Sequence, residues 1–274
     1  MTSSILTRSI SLRGKGIHTG QISQVWIHPA EESSGILFQK QGITIPARLE
    51  YVTDTSRCTS LGNANIKIDT VEHILSALNG LGIRDALIDI EGSEVPILDG
   101  SAYPWVQALE PCIKPAQHRD SPDILSEAFS FQFANSWYCA TPSRHFALVC
   151  VTQFDHPLLG AQSAIFQSAR SNYLQDIAPA RTFGFIEEIE ALRQQGLALG
   201  GALDNALVIY PDHFSDQERI PDECCRHKLL DMIGDFALLN EQPGATITAV
   251  RPGHAGNIAF ARILEQKLHQ SSKT

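Results

Sequence analysis

The chain has 274 residues, of which 43% are hydrophobic and 19% are charged. This composition is typical of a folded globular protein and excludes a disordered or collagen-like chain. The 21 Lys and Arg residues are outnumbered by 30 Asp and Glu residues, so the net charge of −9 argues against a nucleic-acid-binding protein, which needs a basic surface.

Length alone predicts about two domains. No apolar run reaches the ~20 residues of a membrane-spanning helix, and the first residues lack the hydrophobic segment of a signal peptide. We therefore expect no membrane span and a cytoplasmic protein. The six cysteines form no CxxC pair, which favours reduced thiols over a disulfide framework or a Cys-rich zinc site.

The first 110 residues alternate short β-rich runs with turns. Apolar side chains then recur at helical spacing over residues 70–81, which predicts a helix, and residues 101–109 predict a second, shorter helix that Ser101 begins. The predicted strands of this part are residues 22–28, 35–38, 43–47 and 86–90.

Three prolines within residues 111–123 indicate a linker, so we place the domain boundary there, with domains at 1–115 and 124–274. Strands followed by helices in each half predict an α+β fold, and a structural duplication is a hypothesis because no repeat aligns in the sequence. The predicted strands beyond the linker are residues 129–133, 137–140, 147–154 and 247–250, and the predicted helices are residues 186–195 and 221–239.

The helix predicted at 221–239 carries a polar stripe opposite its apolar face. His227, Asp231 and Asp235 are each four residues apart, so they lie one above the other on this stripe. An imidazole and a carboxylate one turn apart can reach the same divalent ion. The alternative interpretation is a solvated polar face.

Glu72 and His73 lie in the first turn of the helix predicted at 70–81, away from its apolar stripe. The positive end of the helix favours neutral His73, which is the form that binds a metal. Glu72 has an alternative interpretation, because Asp69 and Glu72 have the spacing of a capping box.

His254 lies in the sequence PGHAGN, which predicts a turn, and Thr182 lies in ARTFGF. Glycine in these segments, and in the run at 196–209, allows the backbone to approach a ligand closely. The alternative for a histidine in a loop is an exposed side chain without a function.

Taken together, these segments resemble one family across nearly the whole chain, the UDP-3-O-acyl-N-acetylglucosamine deacetylases of lipid A synthesis. The motifs occur in the order found in that family. They are SLRGKGIHTG at 11–20, TVEHILSALNGLGI at 70–83, EVPILDGSAYPWV at 94–106, ARTFGF at 180–185, GLALGGALDNALVI at 196–209, and RHKLLDMIGDFALL at 226–239 followed by GH at 253–254.

The resemblance implies two α+β domains of similar layered architecture, with the helices of both packed between two outer sheets and the active site between the domains. It also implies a zinc ion held by His73, His227 and Asp231. Three protein ligands leave one coordination position open, as in catalytic zinc sites. Fe(II) could occupy the same set of two nitrogens and one oxygen.

The resemblance further implies the residues that carry the reaction. Glu72 would act as the general base and His254 as the general acid, with Asp235 as the partner of His254. Thr182 would help to stabilise the oxyanion, and Lys228 would add positive charge near the site.

The implied substrate is UDP-3-O-(3-hydroxyacyl)-N-acetylglucosamine, and the implied products are acetate and the free 2-amine, in the committed step of lipid A biosynthesis. Phe183 would contact this substrate, and residues 191–203 would form the passage for the acyl chain. We interpret His18 as structural or substrate-facing and not as a zinc ligand. We expect a monomer whose partner is this UDP-linked acylated amino sugar, with no nucleic acid.

Two other functions are possible for such a chain. A non-catalytic nucleotide-sugar or acyl-chain binding module of the same fold would need neither Glu72 nor His254, and both are present. A zinc peptidase is disfavoured because the sequence contains no HExxH motif.

Overall fold

The fold is α+β, as predicted, with two five-stranded sheets and helices between them. The computed structural model describes residues 3–116, 123–168, 172–239 and 242–271. Within these ranges, no helix is both long enough and apolar enough to cross a membrane.

The first half contains ten strands and two helices within the described residues. In chain order they are β1 (Ser4–Leu6), β2 (Ile10–Lys15), β3 (Ile22–Pro29), β4 (Ile36–Lys40), β5 (Ile43–Pro46), β6 (Val52–Asp54), β7 (Ser60–Gly62), β8 (Lys67–Ile68), α1 (Glu72–Gly80), β9 (Ala86–Glu91), α2 (Tyr103–Leu109) and β10 (Ile113–Pro115).

The main sheet of this half has the order β2-β3-β9-β4-β5, in which β4 and β9 are parallel and the other neighbours are antiparallel. Alternate side chains of its central strands point into the core, as the pleat requires. Val25 is paired with Ile90 and Ile27 with Ile88, and all four are buried.

The second half contains seven strands and four helices within the described residues. They are β11 (Phe129–Phe133), β12 (Ser136–Pro142), β13 (Ala147–Gln153), β14 (Ala161–Gln167), α3 (Tyr173–Asp176), β15 (Phe183–Phe185), α4 (Ile186–Gln194), β16 (Leu207–Ile209), α5 (Glu223–Phe236), β17 (Ala245–Val250) and α6 (His254–Ser271).

The second sheet repeats the strand order of the first. Its order is β11-β12-β17-β13-β14, and again only one neighbouring pair, β13 and β17, is parallel. In each sheet the first four strands in chain order form two hairpins, and the fifth strand lies between the hairpins. This shared topology supports the hypothesis of a structural duplication.

The helices α1 and α5 pack against each other between the sheets. A continuous cluster of buried apolar side chains extends from the first sheet through both helices to the second sheet. Gly234 of α5 lies directly against the backbone of Glu72, where a Cβ atom would come 2.0 Å from the carbonyl oxygen of Glu72. The glycine therefore allows the close approach that places Glu72, at the start of α1, against the last turn of α5.

Several boundaries differ from the predicted ones. The first helix begins at Glu72 and not at Thr70, because Thr70 has the left-handed φ of 61°. The predicted linker is regular at its start, since Ile113–Pro115 forms β10 and pairs with β1. The rest of that segment, residues 117–122, lies outside the described residues, and the division into domains 1–115 and 124–274 stays a prediction.

Candidate active site

The three side chains that the sequence suggests as metal ligands lie together at the junction of the two halves. Each of His73, His227 and Asp231 offers a ligand atom within 4.8 Å of those of the others, and all three are buried. Oδ1 of Asp231 lies 3.4 Å from Nε2 of His227 and 3.8 Å from Nε2 of His73. The two imidazoles and the carboxylate thus converge on one point, although His73 and Asp231 are 158 residues apart in the sequence.

The donor set fits a divalent cation. Oδ1 of Asp231 is buried and has no hydrogen-bond partner among the described residues, although such an oxygen is costly to leave unpaired. Its other oxygen, Oδ2, accepts a hydrogen bond of 2.9 Å from Nζ of Lys228. One carboxylate oxygen is thus satisfied by the chain, and the other faces the two imidazoles, as a metal ligand would.

The protonation states also suit a cation. Burial, together with the nearby His227, lowers the pKa of His73 to about 3, so its imidazole is neutral. Burial alone would raise the pKa of Asp231, but the nearby positive charge of Lys228 outweighs it and lowers that pKa below its ordinary value. A neutral imidazole and an ionised carboxylate are the forms that bind a metal.

His227 is held in one orientation by the backbone. Its Nδ1 lies 3.1 Å from the carbonyl oxygen of Ala180, so Nδ1 carries the proton and donates it to that carbonyl. The lone pair then resides on Nε2, which faces Asp231. Such a contact on the outer nitrogen is the usual support of a metal-binding histidine.

Glu72 lies next to this cluster, at the first residue of α1. It is buried, and its Oε2 accepts a hydrogen bond of 3.0 Å from the amide of Thr59. Burial, with smaller contributions from Asp231 and Asp235, raises the pKa of Glu72 to about 8. The alternative role as a capping box is wrong, because α1 has no side-chain cap and Asp69 instead accepts a hydrogen bond from Ser60.

His254 and Asp235 form a buried pair on the other side of Glu72. Nδ1 of His254 lies 2.9 Å from Oδ2 of Asp235, and its Nε2 lies 3.8 Å from Oε1 of Glu72. Burial would lower the pKa of His254, but the carboxylates of Asp235 and Glu72 outweigh it and raise that pKa to about 9. The imidazole is therefore protonated and presents an N–H toward Glu72.

The structure corrects two expectations about these side chains. His254 is the first residue of α6 and not part of a turn, and it is buried, so the exposed-loop alternative is wrong. The solvated-face alternative for α5 is also wrong, because His227, Asp231 and Asp235 are all buried. The polar stripe of α5 faces α1 and the buried charged side chains of the site instead of water.

Phe183 and Lys228 border the cluster. The ring of Phe183 makes an edge contact with that of His227 at 6.1 Å, and Nζ of Lys228 lies 5.5 Å from the Phe183 ring centre. Thr182 directly precedes Phe183 and is held by backbone hydrogen bonds to Gly100 and Leu207. Phe183 and Lys228 thus lie beside His227, and Thr182 is the residue next to Phe183 in the chain.

The loop that contains His18 is held by a buried carboxylate. The amide of His18 donates to Oε1 of Glu94, and both the amide and the hydroxyl of Thr19 donate to Oε2. The amide of Leu199 donates to the carbonyl oxygen of His18, so this loop also contacts the segment predicted as the acyl passage. His18 does not belong to the metal-ligand cluster.

The sequence analysis missed two residues of the site. Asn257 donates a hydrogen bond of 2.8 Å to Oδ2 of Asp235, and Thr59 donates one of 2.5 Å to Oδ1. Asn257 is three residues after His254, so a helix placed there would have put both side chains on one face. Thr59 gives no such local signal, because its partners are far away in the sequence.

Comparison with known proteins agrees with the motifs. The sequence model of the family described as UDP-3-O-acyl N-acetylglycosamine deacetylase matches residues 3–266. Three curated relatives are named UDP-3-O-acyl-N-acetylglucosamine deacetylase. The relative from Myxococcus xanthus is 37% identical over 94% of this chain and 84% of its own length. The one from Acidithiobacillus ferrooxidans is 38% identical over 92% and 86%, and the one from Thermodesulfovibrio yellowstonii is 39% identical over 93% and 89%.

Proposed function

This chain belongs to the UDP-3-O-acyl-N-acetylglucosamine deacetylase family, and we propose that the buried cluster between its two halves carries the family's reaction. The reaction is hydrolysis of the N-acetyl group of UDP-3-O-(3-hydroxyacyl)-N-acetylglucosamine, which gives acetate and the free amine. One observation supports the location above all others. Two imidazoles and a carboxylate converge there, with a buried carboxylate on one side and a protonated histidine beyond it.

We propose zinc as the resident metal, held by His73, His227 and Asp231. The set of two nitrogens and one oxygen suits zinc and leaves a position open for substrate or water, and Fe(II) fits the same donors. When bound, a divalent ion of this kind supplies Lewis acidity, which polarises a carbonyl group and makes water acidic near neutral pH.

Glu72 is the proposed general base. Its Oε2 is occupied by the amide of Thr59, which leaves Oε1 to accept a proton from the attacking water. A cation held by the adjacent His73 favours the ionised carboxylate and so opposes the effect of burial. The base is therefore available where the water is consumed.

His254 is the proposed general acid. Its Nδ1–H is directed to Asp235, so the proton on Nε2 is the one that faces Glu72. Amide cleavage needs a proton on the departing nitrogen, and His254 supplies it from Nε2. Asp235 holds the imidazole in that orientation and favours its charged form.

Thr182, Lys228 and Phe183 complete the proposed site. The hydroxyl of Thr182 and the charge of Lys228 would stabilise negative charge on the acyl oxygen, and Phe183 would contact the sugar substrate. The contact of Phe183 with the ring of His227, and of Lys228 with the ring of Phe183, supports the roles of these two residues.

The acyl chain needs an apolar surface near the site. In the segment 191–203, Leu199 and Leu203 are 53% and 62% exposed, and Leu199 contacts the loop of His18 through the backbone. Exposed apolar side chains that adjoin a polar cleft are suited to an alkyl chain. We propose this segment as the acyl passage.

We also propose that the protein is a cytoplasmic monomer that binds no nucleic acid. The net charge of −9 supports the last point. Cys150 and Cys225 form no disulfide, although Sγ of Cys225 donates a hydrogen bond to Sγ of Cys150 at 3.9 Å, and these free thiols support a reducing compartment.

The test is acetate release from UDP-3-O-(3-hydroxyacyl)-N-acetylglucosamine, with and without a zinc chelator. The proposal predicts acetate from the purified protein, loss of acetate with chelator, and recovery when Zn²⁺ is returned. A binding module would hold the substrate and release no acetate under any of these conditions. Release that is insensitive to the chelator would contradict the metal role.

A further inference from the structure

Thr59 makes contacts on both sides of the site, and the proposed reaction assigns it no role. It directly precedes β7 and is fully buried. Its amide donates to Oε2 of Glu72 at 3.0 Å, and its carbonyl oxygen accepts a hydrogen bond of 3.1 Å from the amide of Val71. The backbone of Thr59 is therefore fixed to the start of α1, and the carboxylate of Glu72 is fixed to the backbone of Thr59.

The side chain of Thr59 points to the other half. Its Oγ1 donates to Oδ1 of Asp235 at 2.5 Å and lies 3.3 Å from Nδ1 of His254. The two oxygens of Asp235 are thus held by different donors among the described residues. His254 and Asn257 share Oδ2, whereas Thr59 reaches Oδ1 across the junction.

We propose that Thr59 is a positioning residue for the reaction, because it fixes the carboxylate of Glu72 and the pair formed by Asp235 and His254 relative to each other. This inference rests on the proposed function, in which Glu72 takes a proton and His254 gives one. The two groups come from different halves of the chain, and Thr59 is hydrogen-bonded to Glu72 on one side and to Asp235, the partner of His254, on the other.

The contacts assign the two parts of Thr59 separate tasks. The amide holds Glu72, and every substitution except proline keeps that donor. The hydroxyl holds Asp235, and valine removes it while keeping the branched shape of the side chain. Thr59→Val therefore separates the hydroxyl from the amide and from packing.

Loss of the hydroxyl leaves Oδ1 of Asp235 buried without this donor. The carboxylate then loses one of the contacts that set its orientation, and His254 moves with it, since the imidazole depends on Oδ2. Because Thr59 is fully buried, it does not contact the substrate. The expected defect is in the chemical step and not in substrate binding.

The experiment measures kcat and KM for acetate release by the zinc-loaded full chain and its variants. Thr59→Val should lower kcat by about ten- to a hundredfold, as expected for misplaced reacting groups, with KM within about twofold of the parent. Thr59→Ser, which restores the hydroxyl, should recover kcat to within about threefold. Zinc content by elemental analysis should stay at the parent value in both variants.

Ser76→Ala is the matched control for the loss of a buried hydroxyl. Ser76 lies on α1 one turn after Glu72 and is fully buried, but its hydroxyl is hydrogen-bonded to that of Tyr173 at 2.8 Å and not to the proposed acid or base. This variant should lose stability without a change in kcat. If Thr59→Val unfolds below the assay temperature, Thr59→Ala is measured at a lower temperature against the parent at that same temperature.

The outcomes separate the inference from the proposed function. If the parent releases acetate and Glu72→Ala does not, the function stands, and the Thr59 variants then decide the inference alone. A kcat for Thr59→Val within twofold of the parent would overturn it, as would a Thr59→Ser variant as slow as Thr59→Val. If the parent releases no acetate, the proposed function itself fails.

Discussion

The two sheets share one strand order, yet the two halves of the chain supply different parts of the proposed centre. The first half contributes Glu72 and His73 at the start of the nine-residue α1. The second contributes His227, Asp231 and Asp235 along the fourteen-residue α5. The two halves therefore share a topology but not the same functional residues. His73 of the first half completes the proposed ligand set that His227 and Asp231 of the second half begin.

The starts of the two helices show a similarity beneath this difference. Each follows a residue in the left-handed conformation, Thr70 before α1 and Asp222 before α5. Each lies near a fully buried carboxylate. Glu94 accepts the hydroxyl of Thr70, and Glu223 accepts the amide of Arg219 and both the amide and the guanidinium of Arg181. The hydrogen bond from the Thr70 hydroxyl to Glu94 holds the strained position before α1, whereas the bonds to Glu223 fix the segments of Arg181 and Arg219 beside the start of α5.

The largest effect is expected when the second half loses its carboxylate ligand. Asp231→Ala should lower both the bound metal and the turnover, the latter on the order of ten-thousandfold, because it removes the charged ligand and with it the Lewis acid. Elemental analysis and acetate release measure the two quantities. Asp212→Ala removes an 86% exposed carboxylate and should change neither. A full metal complement in Asp231→Ala would refute its role as a ligand.

The corresponding change in the first half should separate catalysis from metal binding. Glu72→Ala should lower turnover by about a hundredfold to ten-thousandfold, as expected for the loss of a general base, while the metal stays bound. Glu72→Gln, which keeps the shape and the contact with the Thr59 amide, should be similarly slow. Unchanged turnover in either variant would remove Glu72 from the reaction.

The contact between the halves can be disturbed without touching a polar group. Gly234→Ala places a Cβ atom against the backbone of Glu72, where nothing can move aside cheaply. We expect the free energy of unfolding to fall by about 1 to 3 kcal/mol, as for other overpacked sites, in urea titrations. Gly184→Ala, whose Cβ would meet nothing within 4 Å, should stay within about 0.5 kcal/mol of the parent. An unaffected Gly234→Ala variant would mean that the two helices do not approach this closely.

The smallest expected effect tests whether the two sheets are packed alike. Ile88 of β9 and Ile247 of β17 occupy equivalent positions, and both are fully buried. Ile88→Val and Ile247→Val should each lower the free energy of unfolding by about 0.5 to 1.5 kcal/mol. Values that differ by more than the width of this range would show that the two cores are packed differently.

The sequence predicts α1 and α5, but it misses α6, which begins at His254, and β15, which contains Phe183. The periodicity of apolar residues predicts both α1 and α5, because each buries a broad apolar face between the sheets. The edge strand β14 is missed, since only Ala164 and Phe166 of its seven residues are buried and its apolar Ile165 is exposed, which breaks the alternation of apolar and polar residues.

The site is predicted only in part. The helical spacing of His227 and Asp231 indicates that they can bind the same ion. Their approach to His73 depends on packing between the halves, which local spacing does not show. The sequence links His73 to the other two residues only through the resemblance to a family. Gly253 and Gly256 predict a turn at His254. In the structure Gly256 of α6 is required by packing, because a Cβ there would come 2.4 Å from the hydroxyl of Tyr138. Thr59 is beyond local reasoning, since its partner Asp235 is 176 residues away.

Metal content measured on two matched variants tests the central claim most directly, because it asks whether both halves hold one ion. His73→Ala and His227→Ala each remove one imidazole, from α1 and from α5. After dialysis against a weak chelator, elemental analysis should find one zinc per chain in the parent and strongly reduced zinc in both variants. A His73→Ala protein that keeps a full equivalent of zinc, while His227→Ala loses it, would contradict a centre shared between the halves.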